Sequence, residues 1–115
     1  MAKVAFDVQG TLKGARQYQV VELFKVLEQR GHQLFIWSYG GYTMAFAAAR
    51  GLSLKAEPMD KIDRDYTPGA KQEMDVCVDD ERNAAEVLSA DKMIDVSRIP
   101  NTVPEILEFI KEYNL

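Results

Sequence analysis

The stretch Val4-Ala5-Phe6-Asp7-Val8-Gln9-Gly10-Thr11-Leu12 limits the possible folds more than any other part of the chain. Apolar residues run without alternation into an acid, and a Gly-Thr turn follows. A strand hidden from water on both faces reads as a continuous apolar run, and such strands belong to covered parallel sheets. Asp7 then falls at the carboxyl end of its strand, the edge at which open α/β sheets bind ligands. Parallel strands need crossover connections, so helices must alternate with strands along the rest of the chain.

The remaining residues follow that alternation. Val20, Leu23, Phe24 and Leu27 recur at helical spacing and predict an amphipathic helix over 16–29, stopped by Gly31. Leu34-Phe35-Ile36-Trp37 is a second buried strand ending at Ser38. After the Tyr39-Gly40-Gly41 turn, Tyr42 to Arg50 is Ala-rich and helical, stopped by Gly51. Leu54 and Ala56 alternate with polar residues in a short third strand that Pro58 closes. Residues 58–72 form a charged connection carrying Pro68-Gly69. Met74 to Val78 is the fourth strand, ending in Asp79-Asp80. Glu81 to Ser89 suits a helix and Lys92 to Val96 a fifth strand. Thr102 and Glu105 form a capping box with Pro104 in the first turn, and Ile106, Phe109, Ile110 and Tyr113 mark the inner stripe of a last helix. The pattern predicts one domain over residues 1–115. It is a three-layer α/β fold of Rossmann-like, doubly wound type, whose five-stranded parallel sheet has the first strand between the second and fourth.

The 115 residues are 47% hydrophobic and 28% charged, enough apolar material for one core. A net charge of −4 argues against a general affinity for nucleic acid, which needs clustered Lys and Arg. Arg16, Lys25 and Arg30 read as a solvated helix face. No apolar run approaches the ~20 residues of a membrane span, and no basic-then-apolar leader opens the chain. A cytoplasmic protein without a membrane partner is the expectation. Cys77 is the lone cysteine and lies in an apolar run, so it reads as a small core residue. His32, between a helix stop and a strand, reads as surface polar. Trp37, Tyr39 and Tyr42 read as packing near the sheet end, with Tyr39 or Tyr42 available to line a crevice.

Three predicted strands end in polar residues: Asp7, Ser38, and Asp79 with Asp80. If those strands are neighbours, the side chains converge on one crevice. Carboxylates gathered this way repel one another unless a cation lies between them, and hard oxygen ligands suit Mg²⁺. A carboxylate can also attack phosphorus and form an aspartyl-phosphate. Each residue has a plainer reading on its own, Asp7 as a strand end, Asp80 as a helix cap and Ser38 as turn chemistry. Their shared position after apolar strands argues for a set.

Taken in order, these residues resemble the four motifs of the haloacid dehalogenase (HAD) superfamily, and the resemblance covers nearly the whole chain. Asp7-Val8-Gln9-Gly10-Thr11 resembles the family's Asp-x-Asp-Gly-Thr motif, with Gln9 in place of the second Asp. The resemblance implies that Asp7 is the nucleophile and a metal ligand, and that the turn residues Gly10 and Thr11 contact substrate. It makes Ser38 the hydroxyl that holds the transferring phosphoryl, with the backbone at Tyr39 and Gly40. Lys71 fits the family's third motif, with Lys61 as runner-up. Asp79 and Asp80 match its acidic pair, Asp80 being the more direct Mg²⁺ ligand, and the Gln9 carbonyl completes the protein's ligand set. Gln9 cannot titrate, so it neither protonates a leaving alcohol nor activates water, a loss of ~10²–10⁴ in rate. Acyl and aryl phosphates, whose leaving groups need no proton, suffer least. The spacing leaves no room for a cap domain, so the site is open unless a partner covers it.

Two functions follow from the resemblance. One is an Mg²⁺-dependent phosphohydrolase for a phosphorylated substrate, small or macromolecular, slow or specialised because of Gln9. The alternative is a catalytically inactive HAD-like domain that binds a phosphorylated ligand or a protein partner. A phosphorelay receiver also phosphorylates an Asp, but its acidic pair follows the first strand, and here the pair follows the fourth.

Overall fold

The apolar run forms β1, Lys3–Asp7, in which every residue after Lys3 is buried. The computed structural model describes residues 1–60, 74–80 and 90–115. β1 is joined by β2 (Gln33–Ser38), β3 (Glu57–Asp60), β4 (Met74–Asp79) and β5 (Ala90–Asp95). All pairings are parallel, and the strand order is β3-β2-β1-β4-β5, which places β1 between β2 and β4 as the sequence predicts. The chain steps outward from β1 in one direction to β3, then returns to β4 and steps outward the other way. The reversal point lies beside β1, where ligands of open α/β sheets bind. The architecture is α/β with a five-stranded parallel sheet, compatible with a Rossmann-like fold.

Three helices stand among the described residues: α1 (Gln17–Gln29), α2 (Tyr42–Gly51) and α3 (Val103–Phe109). The predicted stripe of α1, Val20, Leu23, Phe24 and Leu27, is buried. It packs with Val4, Phe6, Ile36, Val76, Val78 and Ile94 from alternate strand positions and with Ala45, Ala48, Ile106 and Phe109 of the other helices. The Phe6 and Phe24 rings meet at 5.2 Å. Residues of the opposite parity, Ala5, Phe35, Trp37 and Cys77, form a second buried cluster with Met74. Cys77, the lone cysteine, is buried, as its apolar setting predicts. No helix among the described residues is long and apolar enough to cross a membrane.

The helix ends explain two departures from the sequence reading. α1 ends as expected at Gly31, whose φ of 83° is left-handed, with the His32 N–H reaching back to the Leu27 carbonyl. α2 instead runs through Gly51 and is closed by Ser53 at φ 54°, with the Leu54 N–H bonded to Ala49 at 2.9 Å. That bond is the six-to-one closure of a Schellman motif. Leu54 is therefore buried as the apolar anchor of a helix end, not as a strand residue. The third strand begins later, at Glu57, and contains Pro58 rather than ending at it. β3 is an edge strand, where a residue lacking N–H is tolerated because one side of the ladder needs no donor.

The last helix begins on the predicted cap: the Thr102 hydroxyl accepts from the Glu105 N–H, and Pro104 sits in the first turn. It tightens into a 3₁₀ turn from Ile110 to Tyr113. Arg16 departs from the solvated-face reading. It precedes α1, and its guanidinium donates to the carbonyls of Val96, at 2.9 Å, and Ile99, tying the start of α1 to the turn after β5. His32 is half-buried rather than surface polar, because its Nδ1 accepts the Ala2 N–H at 3.0 Å. The helix expected over 81–89 and most of the 58–72 connection lie outside the described residues.

Candidate functional site

Strand register brings the acids together. Asp7 pairs with Trp37 of β2 on one side. On the other, Phe6 pairs with Val78, so the next residues along the two strands, Asp7 and Asp79, come level. Neighbouring strands run ~4.7–4.9 Å apart, and both residues have the same strand parity. Asp80 continues from the end of β4. One carboxylate oxygen from each of Asp7, Asp79 and Asp80 lies within 4.8 Å of the other two. Asp7 and Asp79 are buried and Asp80 is exposed, so the cluster has a closed floor and an open mouth. At that separation two unit charges repel by about 3 kcal/mol at an effective dielectric near 20.

The loop after β1 is built around this cluster. The Thr11 hydroxyl, fully buried, donates to Asp7 Oδ2 at 3.2 Å and fixes the plane of the carboxylate. The Leu12 N–H donates to the Asp7 carbonyl at 3.2 Å, and the Lys13 N–H to Val8 at 2.8 Å. The Gly10 N–H donates to the Lys13 carbonyl at 3.1 Å. The last two bonds flank Gln9 as an isolated parallel bridge, so its own carbonyl takes no part in them. Gly10 holds φ at +77°, and a Cβ there would collide with Asp80 Oδ2. The glycine serves both the turn and the approach of Asp80. The Thr11 side chain, expected among the substrate contacts, is hydrogen-bonded to Asp7.

Ser38 belongs to the neighbouring strand β2. It ends β2 one position beyond the residue level with Asp7 and is 1% exposed. Its Oγ accepts the Gly40 N–H at 3.0 Å and donates to Met44 Sδ at 3.0 Å. A thioether is a weak acceptor, so this hydroxyl is spent cheaply and is open to exchange for a better one. Nothing in the spacing of Met44 marks it as the partner of Ser38. The contact exists because the Gly41 N–H folds back onto the Ser38 carbonyl and starts α2 at once. Tyr39 and Tyr42 flank this turn and are exposed.

The structure thus gathers Asp7, Gly10, Thr11, Asp79 and Asp80 directly, and sets Ser38, Tyr39 and Gly40 on the adjoining strand end. Gln9 lies exposed in the same loop. Lys71 and its runner-up Lys61 lie outside the described residues. No protein-family model, curated protein or solved structure matches the chain, so its own geometry carries the functional reading.

Proposed function

We propose that this chain is a capless, doubly wound HAD-like domain acting as an Mg²⁺-dependent phosphohydrolase, with an aspartyl-phosphate formed on Asp7. One observation carries the reading: three carboxylates within 4.8 Å of one another at the carboxyl edge of a parallel sheet. A cation between carboxylates gathered in this way offsets their mutual repulsion. The donor set is all hard oxygen, and a carbonyl at Gln9 outside the loop's own bonding adds a neutral ligand. These residues fit Mg²⁺, which would supply positive charge to the cluster and to a bound phosphate.

The chain's own residues do the rest. Thr11 orients the Asp7 carboxylate, which attacks phosphorus as the P–O bond to the leaving group breaks with its electron pair. The Ser38 hydroxyl turns from Met44 Sδ to a phosphoryl oxygen, exchanging a weak acceptor for a charged one. Water then attacks the acyl phosphate, releasing inorganic phosphate and restoring Asp7. Gln9 gives no proton to the leaving group in the first step and takes none from water in the second.

Acetyl phosphate tests this reading, because its leaving carboxylate needs no proton. Mg²⁺-dependent hydrolysis by the wild type, lost by a factor on the order of 10⁴ or more in Asp7→Asn, is expected. Equal turnover by both proteins would remove Asp7 from the chemistry. Gln9 favours a second reading, a catalytically inactive HAD-like domain that binds a phosphorylated ligand or a protein partner. It predicts phosphate binding without turnover on any substrate.

A further inference from the structure

We infer that the substrate is an aryl phosphate monoester whose ring lies against Tyr42 and Phe46, an inference that rests on the phosphohydrolase reading. Two independent features meet here. The first is chemical. With Gln9 in the acid position, the leaving group must depart as an anion. A phenolate forms near pH 10, whereas an alkyl alcohol is about as weak an acid as water and forms its anion only far above that. Ester substrates of this site are therefore those of phenols.

The second feature is the surface around the site. Four of the large apolar side chains exposed among the described residues are aromatic: Tyr18, Tyr39, Tyr42 and Phe46. Tyr39 follows Ser38, and Tyr42 is the first residue of α2. Tyr42 stands four residues past Ser38, at most about 14 Å along the chain, and the Gly41-to-Ser38 bond shortens that distance. Tyr42 and Phe46, one helical turn apart, hold their rings 6.2 Å apart at only 18° to each other. Helix side chains tilt toward the N-terminus, so both rings lean toward the end of α2 that adjoins Ser38. α2 already buries Ala45, Ala48 and Ala49 on its inner face, so the ring pair is not needed for packing. It presents an aromatic surface on the first turns of α2, the helix that starts directly after the Ser38 turn.

The reaction balances without a further reagent. The Asp7 oxygen bonds to phosphorus, the aryl oxygen leaves with the bonding pair and takes a proton from bulk water, and water cleaves the acyl phosphate.

The test compares kcat/KM for 2-naphthyl phosphate, acetyl phosphate and a nucleoside 5′-monophosphate in the Mg²⁺-loaded protein. Wild type should favour the aryl ester over the nucleotide. The Tyr42→Ala, Phe46→Ala double variant should lower the aryl-over-acetyl ratio about 5- to 50-fold through KM, the scale of ring stacking. Tyr42→Phe should keep it. An unchanged ratio in the double variant, or preference for the nucleotide, overturns the inference while leaving the phosphohydrolase reading intact. If no substrate turns over, that reading fails, and binding of phenylphosphonate against methylphosphonate by NMR titration decides the ring surface separately. An aryl preference lost in the double variant upholds it, and equal affinities overturn it.

Discussion

The two edges of this sheet are made from the same kinds of residues and use them in opposite ways. At the amino edge, the Asp75 carboxylate accepts the Lys3 N–H at 2.7 Å and His32 accepts the Ala2 N–H at 3.0 Å. These groups border a hollow of about 330 Å³ together with Asp91, Lys92 and Tyr113. Acids there alternate with a lysine, and Asp75 and His32 tie down the first strand. At the carboxyl edge three acids stand within 4.8 Å, and the groups around them, Thr11 and Gly10, hold them there or make room for them. The amino edge spends its polar groups on the fold. The carboxyl edge gathers three carboxylates into one cluster, the feature on which the proposed cation site rests.

The largest effect expected at the carboxyl edge comes from Gln9. Gln9→Asp should raise Mg²⁺-dependent hydrolysis of alkyl phosphate esters by ~10²–10⁴, the scale of general acid–base catalysis. The gain on acetyl or aryl phosphates should be far smaller, since their leaving groups depart without a proton. A folded, Mg²⁺-binding Gln9→Asp protein with no activity on any of them would move the inactive, ligand-binding reading to first place.

How much of this contrast was legible in the sequence depends on where the signal is stored. β1, β2 and β4 announce themselves because burial on both faces demands continuous apolar runs, and the acids at their ends follow from strand direction. The central place of β1 was expected from the convergence of the polar strand ends, since crossover rules alone leave the strand order open. β3 left no such signal, since an edge strand of four residues, Glu57 to Asp60, needs neither an apolar run nor freedom from proline. Leu54 misled in the other direction, because apolarity reports burial and not the element that causes it. Arg16 looked like any exposed cation, because its carbonyl partners at Val96 and Ile99 lie 80 and 83 residues away. At the site, Asp7, Ser38, Asp79 and Asp80 were legible as strand ends. The grip of Thr11 on Asp7 and the contact of Asp80 with Gly10 were not, since both depend on how a turn folds against a neighbouring strand.

Mg²⁺ sharpens the comparison next. In thermal or urea unfolding, the ion should stabilise the wild type by about 2.7 kcal/mol at a hundred times its dissociation constant. Asp80→Asn should lose most of that gain and, without Mg²⁺, be more stable than wild type because one repelling charge is gone. An equal Mg²⁺ response in both proteins would break the claim that the carboxyl edge is built for a cation. Asp75→Asn, at the amino edge, should respond to Mg²⁺ as wild type does.

Gly10→Ala should be a smaller, mixed perturbation. A left-handed φ costs a residue with a Cβ about 1–2 kcal/mol, and the added carbon must displace the Asp80 carboxylate from the cluster. Unfolding should show that loss together with a weakened Mg²⁺ response. Gly31→Ala, at a similar φ of 83° but with open space where its Cβ would go, should show the stability loss alone. Identical Mg²⁺ responses in the two variants would mean that Asp80 does not need the room Gly10 gives it.

The smallest effect belongs to the amino edge. Burial first, then the N-terminal ammonium and Arg30, hold the His32 pKa below its ordinary 6.5. Its Nδ1 can accept the Ala2 N–H only while unprotonated. The unfolded chain therefore takes up this proton at a higher pH than the folded protein does. Above pH 6.5 both states are neutral at His32 and its contribution to stability is complete. As pH falls below 6.5 the unfolded state binds more protons, so stability declines, and the contribution is gone once the pH has passed below the folded pKa. His32→Gln removes the titration. Urea midpoints at pH 7.5 and 5.5 should fall further in the wild type than in the variant, by a modest margin because the ring is half-exposed. Parallel declines in the two proteins would show that His32 does not couple protonation to the docking of β1.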